Sequence, residues 1–210
     1  MQNMSRHIEH YDYTIDYRPL RNAVAEQSAS LRRQDNIELT VACLIVQAVA
    51  RTLVDFRQFC CTADGSDYIE NLSFADPICI HWEVQLGDAI RSHRRLTSPQ
   101  DLTLAELART LHQTNGGIDL SAPPETNPLR DPAFVIRHCE GGARDADLGL
   151  TSAVAALLLS EPAVDGDRIA TATASTLAAR LTYDRRMIPY ADVLGFVAGL
   201  DHNLRCSTRS

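Results

Sequence analysis

The 210-residue sequence lacks the segments that place a protein in or across a membrane. Its most apolar window, Val41–Val54, is interrupted by Gln47 and Arg51 and is too short to span a bilayer. The start, Met1-Gln-Asn-Met-Ser-Arg-His7, has no apolar run, so we expect no signal peptide. We therefore expect no membrane partner.

The sequence also lacks the cysteine and histidine spacings that hold metals. Its six cysteines are scattered, and no C-x-x-C or Cys/His pattern occurs, so we expect no zinc or other metal. Cys60 and Cys61 are adjacent and cannot easily bond to each other, while Cys43 and Cys79 lie in apolar segments typical of a core. These features favour a reducing, cytoplasmic compartment.

Basic residues are fewer than acidic ones, with 20 Lys and Arg against 27 Asp and Glu and a net charge of -7. An acidic surface repels phosphates, so we expect no nucleic-acid partner. The sequence contains no Gly-x-Ser-x-Gly, P-loop or Gly-x-Gly-x-x-Gly motif either. The familiar serine-hydrolase and nucleotide-binding signatures are thus absent.

Hydrophobic periodicity predicts interleaved strands and helices without a regular βαβ rhythm. Alternation over His10–Tyr17 predicts a strand, and three- and four-residue spacing after an N-cap at Thr40 predicts a buried helix. This order favours one α+β domain over residues 1–210, with a mixed sheet covered by helices. The other predicted segments are strands at Tyr68–Leu72, Pro77–Val84, Ala133–Cys139, Ala153–Ser160 and Ile169–Tyr183, helices at Leu20–Arg33, Leu102–His112 and Ala191–Leu204, a turn-rich link at Cys60–Asp67 and a loop at Gly116–Pro132.

Four segments occur in the order and spacing of one known family. They are His10–Asp16, Ile37–Ala50, Ala163–Ile169 and Leu181–Leu200, and the last begins Leu-Thr-Tyr-Asp-Arg-Arg-Met-Ile-Pro-Tyr-Ala-Asp. On these segments the chain resembles, over nearly its whole length, the acyltransferase (E2) catalytic domain of 2-oxoacid dehydrogenase complexes. That family reads Leu-Ser-Phe-Asp-His-Arg-x-x-Asp-Gly-Ala at the active site. The resemblance implies a chloramphenicol acetyltransferase-like fold, here without a lipoyl or peripheral-subunit-binding domain.

The chain departs from this family at the positions that carry its chemistry. Arg185 stands where the family has its general-base His, and Pro189-Tyr190 replaces Asp-Gly. The family segment Phe-Thr-Ile-Ser-Asn-Leu-Gly corresponds to Phe134–Glu140, which places Arg137 where a Ser or Thr hydroxyl donates to the oxyanion. The resemblance further implies that these two groups come from different subunits of a trimer.

An arginine cannot replace the base, because its guanidinium stays protonated throughout the accessible pH range. Arg185 and Arg137 could instead bind an anion such as a CoA phosphate, a carboxylate or an enolate. Alternatively, Arg185 pairs with a carboxylate such as Asp184 or Glu140. The family residue types at Asp184 and Arg186 are retained and are largely structural there.

Histidines are the remaining candidates for a base. His138 lies nearest the site by this alignment and would serve if its side chain faced the channel, although a role as an ordinary strand residue is the simpler interpretation. His81, next to Trp82 on a predicted strand, is interpreted as a core or interface histidine. We expect the others to be exposed and assign them no role: His7, His10, His93, His112 and His202.

Two functions follow from the resemblance. One is an acyltransferase that binds coenzyme A, acyl-CoA or a carrier-bound acyl chain at the interface of a homotrimer. The other is a non-catalytic, E2-like core subunit of a 2-oxoacid dehydrogenase complex, similar to E3-binding protein (protein X). Its partners would be an E2 core or other complex subunits, and a fragment of a eukaryotic subunit would belong to the mitochondrial matrix.

Overall fold

The computed structural model describes residues 7–35, 37–63, 72–74, 76–86, 89–112, 133–140, 153–160 and 175–208. Within these ranges the chain alternates between strands and helices, as the periodicity predicts. The helices are α1 Tyr17–Asp35, α2 Val41–Asp55, α3 Leu104–His112 and α4 Tyr190–Ser207, and the strands are β1 Ile8–Asp16, β2 Cys61–Ala63, β3 Leu72–Phe74, β4 Cys79–Leu86, β5 Ala89–Thr97, β6 Phe134–Glu140, β7 Ala155–Ser160 and β8 Thr176–Asp184.

Six of the strands form one mixed sheet in the order β1-β8-β7-β6-β4-β5. Strands β4, β6 and β7 run parallel to one another, and the remaining pairings are antiparallel. Strands β2 and β3 form a separate antiparallel pair. The α+β prediction of a mixed sheet covered by helices is confirmed.

The main core lies between one face of the sheet and the helices. Alternate strand residues face it, among them Trp82, Ile136 and Leu181, because successive side chains on a strand point to opposite faces. Phe196 of α4 stacks on Phe59 with ring centroids 4.6 Å apart. No helix among the described residues is long and apolar enough to cross a bilayer.

The opposite face of the sheet carries a smaller apolar cluster and a buried polar group of side chains. Val135, Cys139, Ala156 and Leu158 form the apolar cluster. Beside it on β4 lie three buried polar residues, His81, Glu83 and Gln85. Buried polar side chains require partners, so this face of the sheet is a candidate location for a functional site.

The structure corrects one local prediction and adds one strand. Cys61–Ala63, predicted within a turn-rich link, is a strand because it pairs with Leu72–Phe74. Strand Ala89–Thr97 was not predicted, since its arginines obscure the alternation. Thr40 does occupy the N-cap position of α2, but its side chain makes no capping hydrogen bond. The predicted loop Gly116–Pro132 and the Ala163–Ile169 segment lie outside the described residues.

Candidate functional site

Arg185 lies on the turn that joins β8 to α4, and it is paired with Glu9. Its backbone N–H donates to the carbonyl of His7 at 2.9 Å, and its Nη1 donates to Glu9 Oε1 at 2.9 Å. The predicted partners were Asp184 or Glu140. Glu9 takes their place because the antiparallel pairing of β1 with β8 sets Glu9 opposite Tyr183, two residues before Arg185.

The Glu9 carboxylate accepts a second hydrogen bond, from the Tyr183 hydroxyl at 3.0 Å. The hydrogen bond from Arg185, and then that from Tyr183, lower the pKa of Glu9 below its ordinary value. Burial, helped by the Glu9 carboxylate, raises the pKa of Tyr183 to about 12. At neutral pH this group of side chains therefore consists of an ion pair and a neutral phenol.

Asp184 and Arg186, the residues that flank Arg185, hold the turn itself. Arg186 donates to the Asp184 carboxylate from its backbone N–H, from Nε at 3.0 Å and from Nη2 at 2.6 Å. The Asp184 carbonyl also accepts the N–H groups of Met187 and Ile188 at 3.0 Å. Asp184 is therefore unavailable as the Arg185 partner, which agrees with the structural role expected for this pair.

Arg137 extends from β6 over the face that lies away from the main core, where it forms an ion pair with Glu83 of β4. Its Nε and Nη2 lie 2.8 and 2.7 Å from Glu83 Oε2. The side chain of Glu83 is only 2% exposed and that of Arg137 is 17% exposed. The family's hydroxyl position is thus occupied by a cation whose charge is compensated by a buried carboxylate.

His138 follows Arg137 on the same strand and therefore points to the opposite face. Its ring stacks on Trp82, with centroids 5.9 Å apart and planes 29° apart. Trp82 belongs to the main core and is 5% exposed. Within one chain, Arg137 and His138 do not line a common cleft.

One chain does not bring Arg137 and Arg185 together either. The register aligns Arg137 with Leu158, and Leu158 with Arg180 of β8. Arg185 lies five residues beyond Arg180, or about 17 Å along the strand at roughly 3.3 Å per residue. The expectation that these two groups meet across a subunit boundary stays a prediction.

The structure also pairs two histidines that sequence reasoning kept apart. His81 Nδ1 lies 3.0 Å from His93 Nε2, and the rings meet edge to face at 4.9 Å. The β4–β5 hairpin produces this contact, since its register sets Glu83 opposite His93 and His81 opposite Arg95. The expectation that His93 is exposed is therefore corrected, because its ring is partly buried against His81.

Burial lowers the pKa of His93 below its ordinary value, whereas the nearby Glu83 carboxylate partly opposes this shift. His81 is fully buried. Within the described ranges, no group of three or more His, Cys, Asp or Glu residues is arranged to hold a metal ion. The two imidazoles therefore form a hydrogen-bonded pair of side chains, one of them partly open to solvent.

All six cysteines are free thiols, and five of them are buried. Burial raises the pKa of Cys60 to about 12 and that of Cys61 to about 11. It also raises the pKa of Cys139, which shares the sheet face of Arg137. Cys60, Cys61 and Cys139 therefore stay protonated at neutral pH and are poor nucleophiles.

The sequence matches no protein-family model and no curated protein, but the fold has close structural relatives. The structure of a probable dihydrolipoamide acetyltransferase from Listeria monocytogenes aligns with a TM-score of 0.70 at 16% identity, over 96% of this chain and 86% of that one. Dihydrolipoamide acetyltransferase (E2p) from Azotobacter vinelandii gives 0.69 at 19% identity, over 95% and 82%. A chloramphenicol acetyltransferase gives 0.56 at 10% identity, over 95% and 89%.

The chain has the fold of E2 catalytic domains and chloramphenicol acetyltransferase. Identities of this size establish the fold alone, because one fold can carry unrelated chemistry. In the Azotobacter enzyme, a serine, a histidine and an asparagine have been investigated for roles in the catalytic mechanism.

Proposed function

We propose that this protein is an acyltransferase whose substrate is an acyl group carried on coenzyme A or on a carrier, bound between copies of a homotrimer. The observation that carries the proposal is the place of Arg185 in an otherwise retained acyltransferase fold. It lies on the turn between β8 and α4 with 62% of its side chain exposed. An exposed guanidinium at an acyl-transfer position suits an anionic donor such as a CoA phosphate.

The ion pair with Glu9 does not prevent such a role. Glu9 is also partly exposed, at 41%, and ion pairs that reach solvent are individually weak. A phosphate carries more charge than a carboxylate and offers more acceptor oxygens. It would therefore displace Glu9 from Arg185 at little cost.

The separation of the two arginine positions supports a site shared between copies of the chain. Arg137 and Arg185 are far apart along the sheet, so a cleft that uses both requires a second copy of the chain. Closed rings of identical subunits produce such shared sites. Other structural relatives are the cubic core of a pyruvate dehydrogenase complex and a 2-oxoacid dehydrogenase core from Thermoplasma acidophilum.

The second candidate function is a non-catalytic, E2-like core subunit of a dehydrogenase complex. Its support is that Arg137 and Arg185 are both engaged with carboxylates, while His138 is packed on Trp82. On this view the Arg137–Glu83 and Arg185–Glu9 ion pairs have a structural role and take no part in catalysis. The protein would assemble with an E2 core and would not turn over a thioester.

One measurement on the wild-type protein tests the trimer, and a second separates the two candidate functions. Sedimentation equilibrium should give three times the chain mass, and CoA release from acetyl-CoA in the presence of dihydrolipoamide should be catalysed. Calorimetry with CoA should show weaker binding for Arg185→Ala and unchanged binding for Arg180→Ala, a matched exposed arginine that pairs with Asp12. A trimer that neither binds CoA nor releases it from acetyl-CoA would favour the core subunit.

A further inference from the structure

The β4–β5 hairpin and β6 bring four ionisable side chains together on the face of the sheet away from the main core. His81, Glu83, His93 and Arg137 form a row across three adjacent strands that consists of two contacting pairs. The contacts are His93 Nε2 to His81 Nδ1 at 3.0 Å and Arg137 to Glu83 Oε2 at 2.7 and 2.8 Å. The separation between the β5 and β6 backbones is about 10 Å, which is two interstrand spacings.

The row is suited to accept one proton. Glu83 and Arg137 cancel each other's charge, and both imidazoles can be neutral, so the resting row carries no net charge. A proton added to His93 would be stabilised by Glu83, whose carboxylate acts on His93 through its charge. Buried charges are tolerated when such a partner is fixed in place.

Accessibility distinguishes the two rings. His81 is fully buried, whereas His93 is partly exposed on the outer strand of the sheet. Only the outer ring can therefore contact a substrate, and the buried ring can act by orienting it. When His93 donates from Nε2 to His81 Nδ1, the lone pair of His93 lies on Nδ1.

We propose that His93 is the proton acceptor for acyl transfer in this protein, with His81 as its positioning residue, in place of the family's histidine at position 185. This inference rests on the proposed acyltransferase function and names its base. The row ends at Arg137, which by resemblance occupies the family's oxyanion position. Base and oxyanion donor would then come from one chain.

The step balances with these groups. His93 Nδ1 takes the proton from the thiol or hydroxyl of the acceptor, whose sulfur or oxygen attacks the thioester carbonyl carbon. Two N–H groups of Arg137 bind Glu83, and the guanidinium has further donors for the oxyanion. The carbon–sulfur bond to CoA then breaks, and the departing thiolate takes the proton back from His93.

Other charges also act on His93. Among the described residues these are Glu83 on β4 and Arg94 on its own strand, while Arg95, His81 and Arg137 lie on the same face of the three strands. Arg94 lowers the pKa of His93 in the same direction as burial, and Glu83 raises it. A lowered imidazole pKa keeps the ring neutral, and so able to accept a proton, down to a mildly acidic pH.

The first test is turnover of acetyl-CoA with dihydrolipoamide, measured as CoA release. His93→Gln should lower kcat by at least about 100-fold, the usual range for loss of a general base, and leave the Kd for CoA unchanged. His81→Gln should lower kcat by about tenfold and move the acid limb of the pH profile. His10→Gln is the matched control, because His10 lies on the same face and its ring bonds Thr182 at 2.9 Å.

The second test needs no turnover. Diethyl pyrocarbonate modifies neutral, accessible imidazoles, and mass spectrometry locates the modified residue. His93 should react with a pH midpoint below the ordinary imidazole value of about 6.5. CoA should protect it, and His81→Gln should shift the midpoint.

The outcomes distinguish a failure of this inference from a failure of the proposed acyltransferase function. Wild-type turnover that survives in His93→Gln, or that is lost in His138→Ala instead, overturns the inference and leaves the proposed function standing. A wild-type protein that neither binds CoA nor releases it from acetyl-CoA overturns both. Modification of His93 that CoA does not slow and His81→Gln does not shift counts against the inference.

Discussion

The Glu83 carboxylate is 2% exposed and accepts hydrogen bonds from the Arg137 Nε and Nη2 atoms at 2.8 and 2.7 Å. A buried pair of this kind is sensitive to loss of one member, because the other is left as an uncompensated charge. Arg137→Met should therefore lower the free energy of unfolding by about 3–5 kcal/mol, measured by urea denaturation at fixed protein concentration.

The exposed pair of Arg180 with Asp12 provides the control for that measurement. Arg180→Met should cost no more than about 1 kcal/mol, since both side chains reach solvent. The double variant Glu83→Leu/Arg137→Met should recover much of the loss, because it removes both charges together. Equal losses of unfolding free energy in Arg137→Met and Arg180→Met would contradict the claim that burial makes the Glu83–Arg137 pair the more sensitive one.

Glu9→Gln should strengthen the binding of CoA by a few-fold, up to about fivefold. The substitution removes the carboxylate that competes with a phosphate for Arg185, and an exposed ion pair is worth up to about 1 kcal/mol. Isothermal titration calorimetry measures the change, with Asp12→Asn as the control for loss of a negative charge on β1. Unchanged or weaker binding in Glu9→Gln would argue against Arg185 as an anion site.

Acidification should destabilise the protein partly through His93. Because burial lowers the pKa of this ring, the unfolded chain binds the proton first as pH falls below about 6.5, so stability decreases there. His93→Gln removes this contribution. The loss of unfolding free energy between pH 7 and about pH 5 should therefore be smaller in the variant than in the wild type, as measured by urea denaturation at each pH.

The contact between α2 and α4 leaves little room at Gly195. A Cβ there would lie 3.0 Å from two ring atoms of Phe56, whereas one at Gly199 would lie 3.3 Å from Thr52 Cγ2. Phe56 also meets Phe59 and Phe196 edge to face, which restricts its movement.

The Gly195→Ala variant should therefore be less stable than the Gly199→Ala variant, although both substitutions lie in the same helix. Overpacking costs about 1–3 kcal/mol and outweighs the gain of roughly 1 kcal/mol in helix propensity. Gly199→Ala should be near neutral or stabilising. Thermal denaturation of both variants, and of Gly195→Ala combined with Phe56→Leu to restore space, would decide whether the Phe56 ring is the obstacle.

Strong periodicity made most of the fold predictable from sequence. The buried face of α2 and the alternation of β1 are encoded within each segment, and the order of the elements gave the α+β class. Strand β5 was not predicted, because it lies at the edge of the sheet and is largely polar. Its run of arginines and a histidine lacks the alternation of apolar and polar residues that predicts a strand.

The contacts of the candidate site were harder to predict, because they depend on strand pairing. Glu9 and Arg185 are 176 residues apart in sequence and meet only because β1 pairs with β8. His81 and His93 are 12 residues apart, and recognising the β4–β5 hairpin would have placed them on one face. By contrast, the positions of Arg137 and Arg185 came from the motif resemblance, which required no knowledge of the pairing.

The alternation of side chains along β6 sets Arg137 beside a buried acid and His138 against Trp82. Deletion of one residue just before this strand, with the pairing to β4 kept, would exchange those two neighbours. An imidazole would then stand next to the Glu83 carboxylate, and a guanidinium would be forced among aromatic rings. A one-residue deletion before β6 therefore changes the surroundings of Arg137 and His138 together, which no single replacement can do.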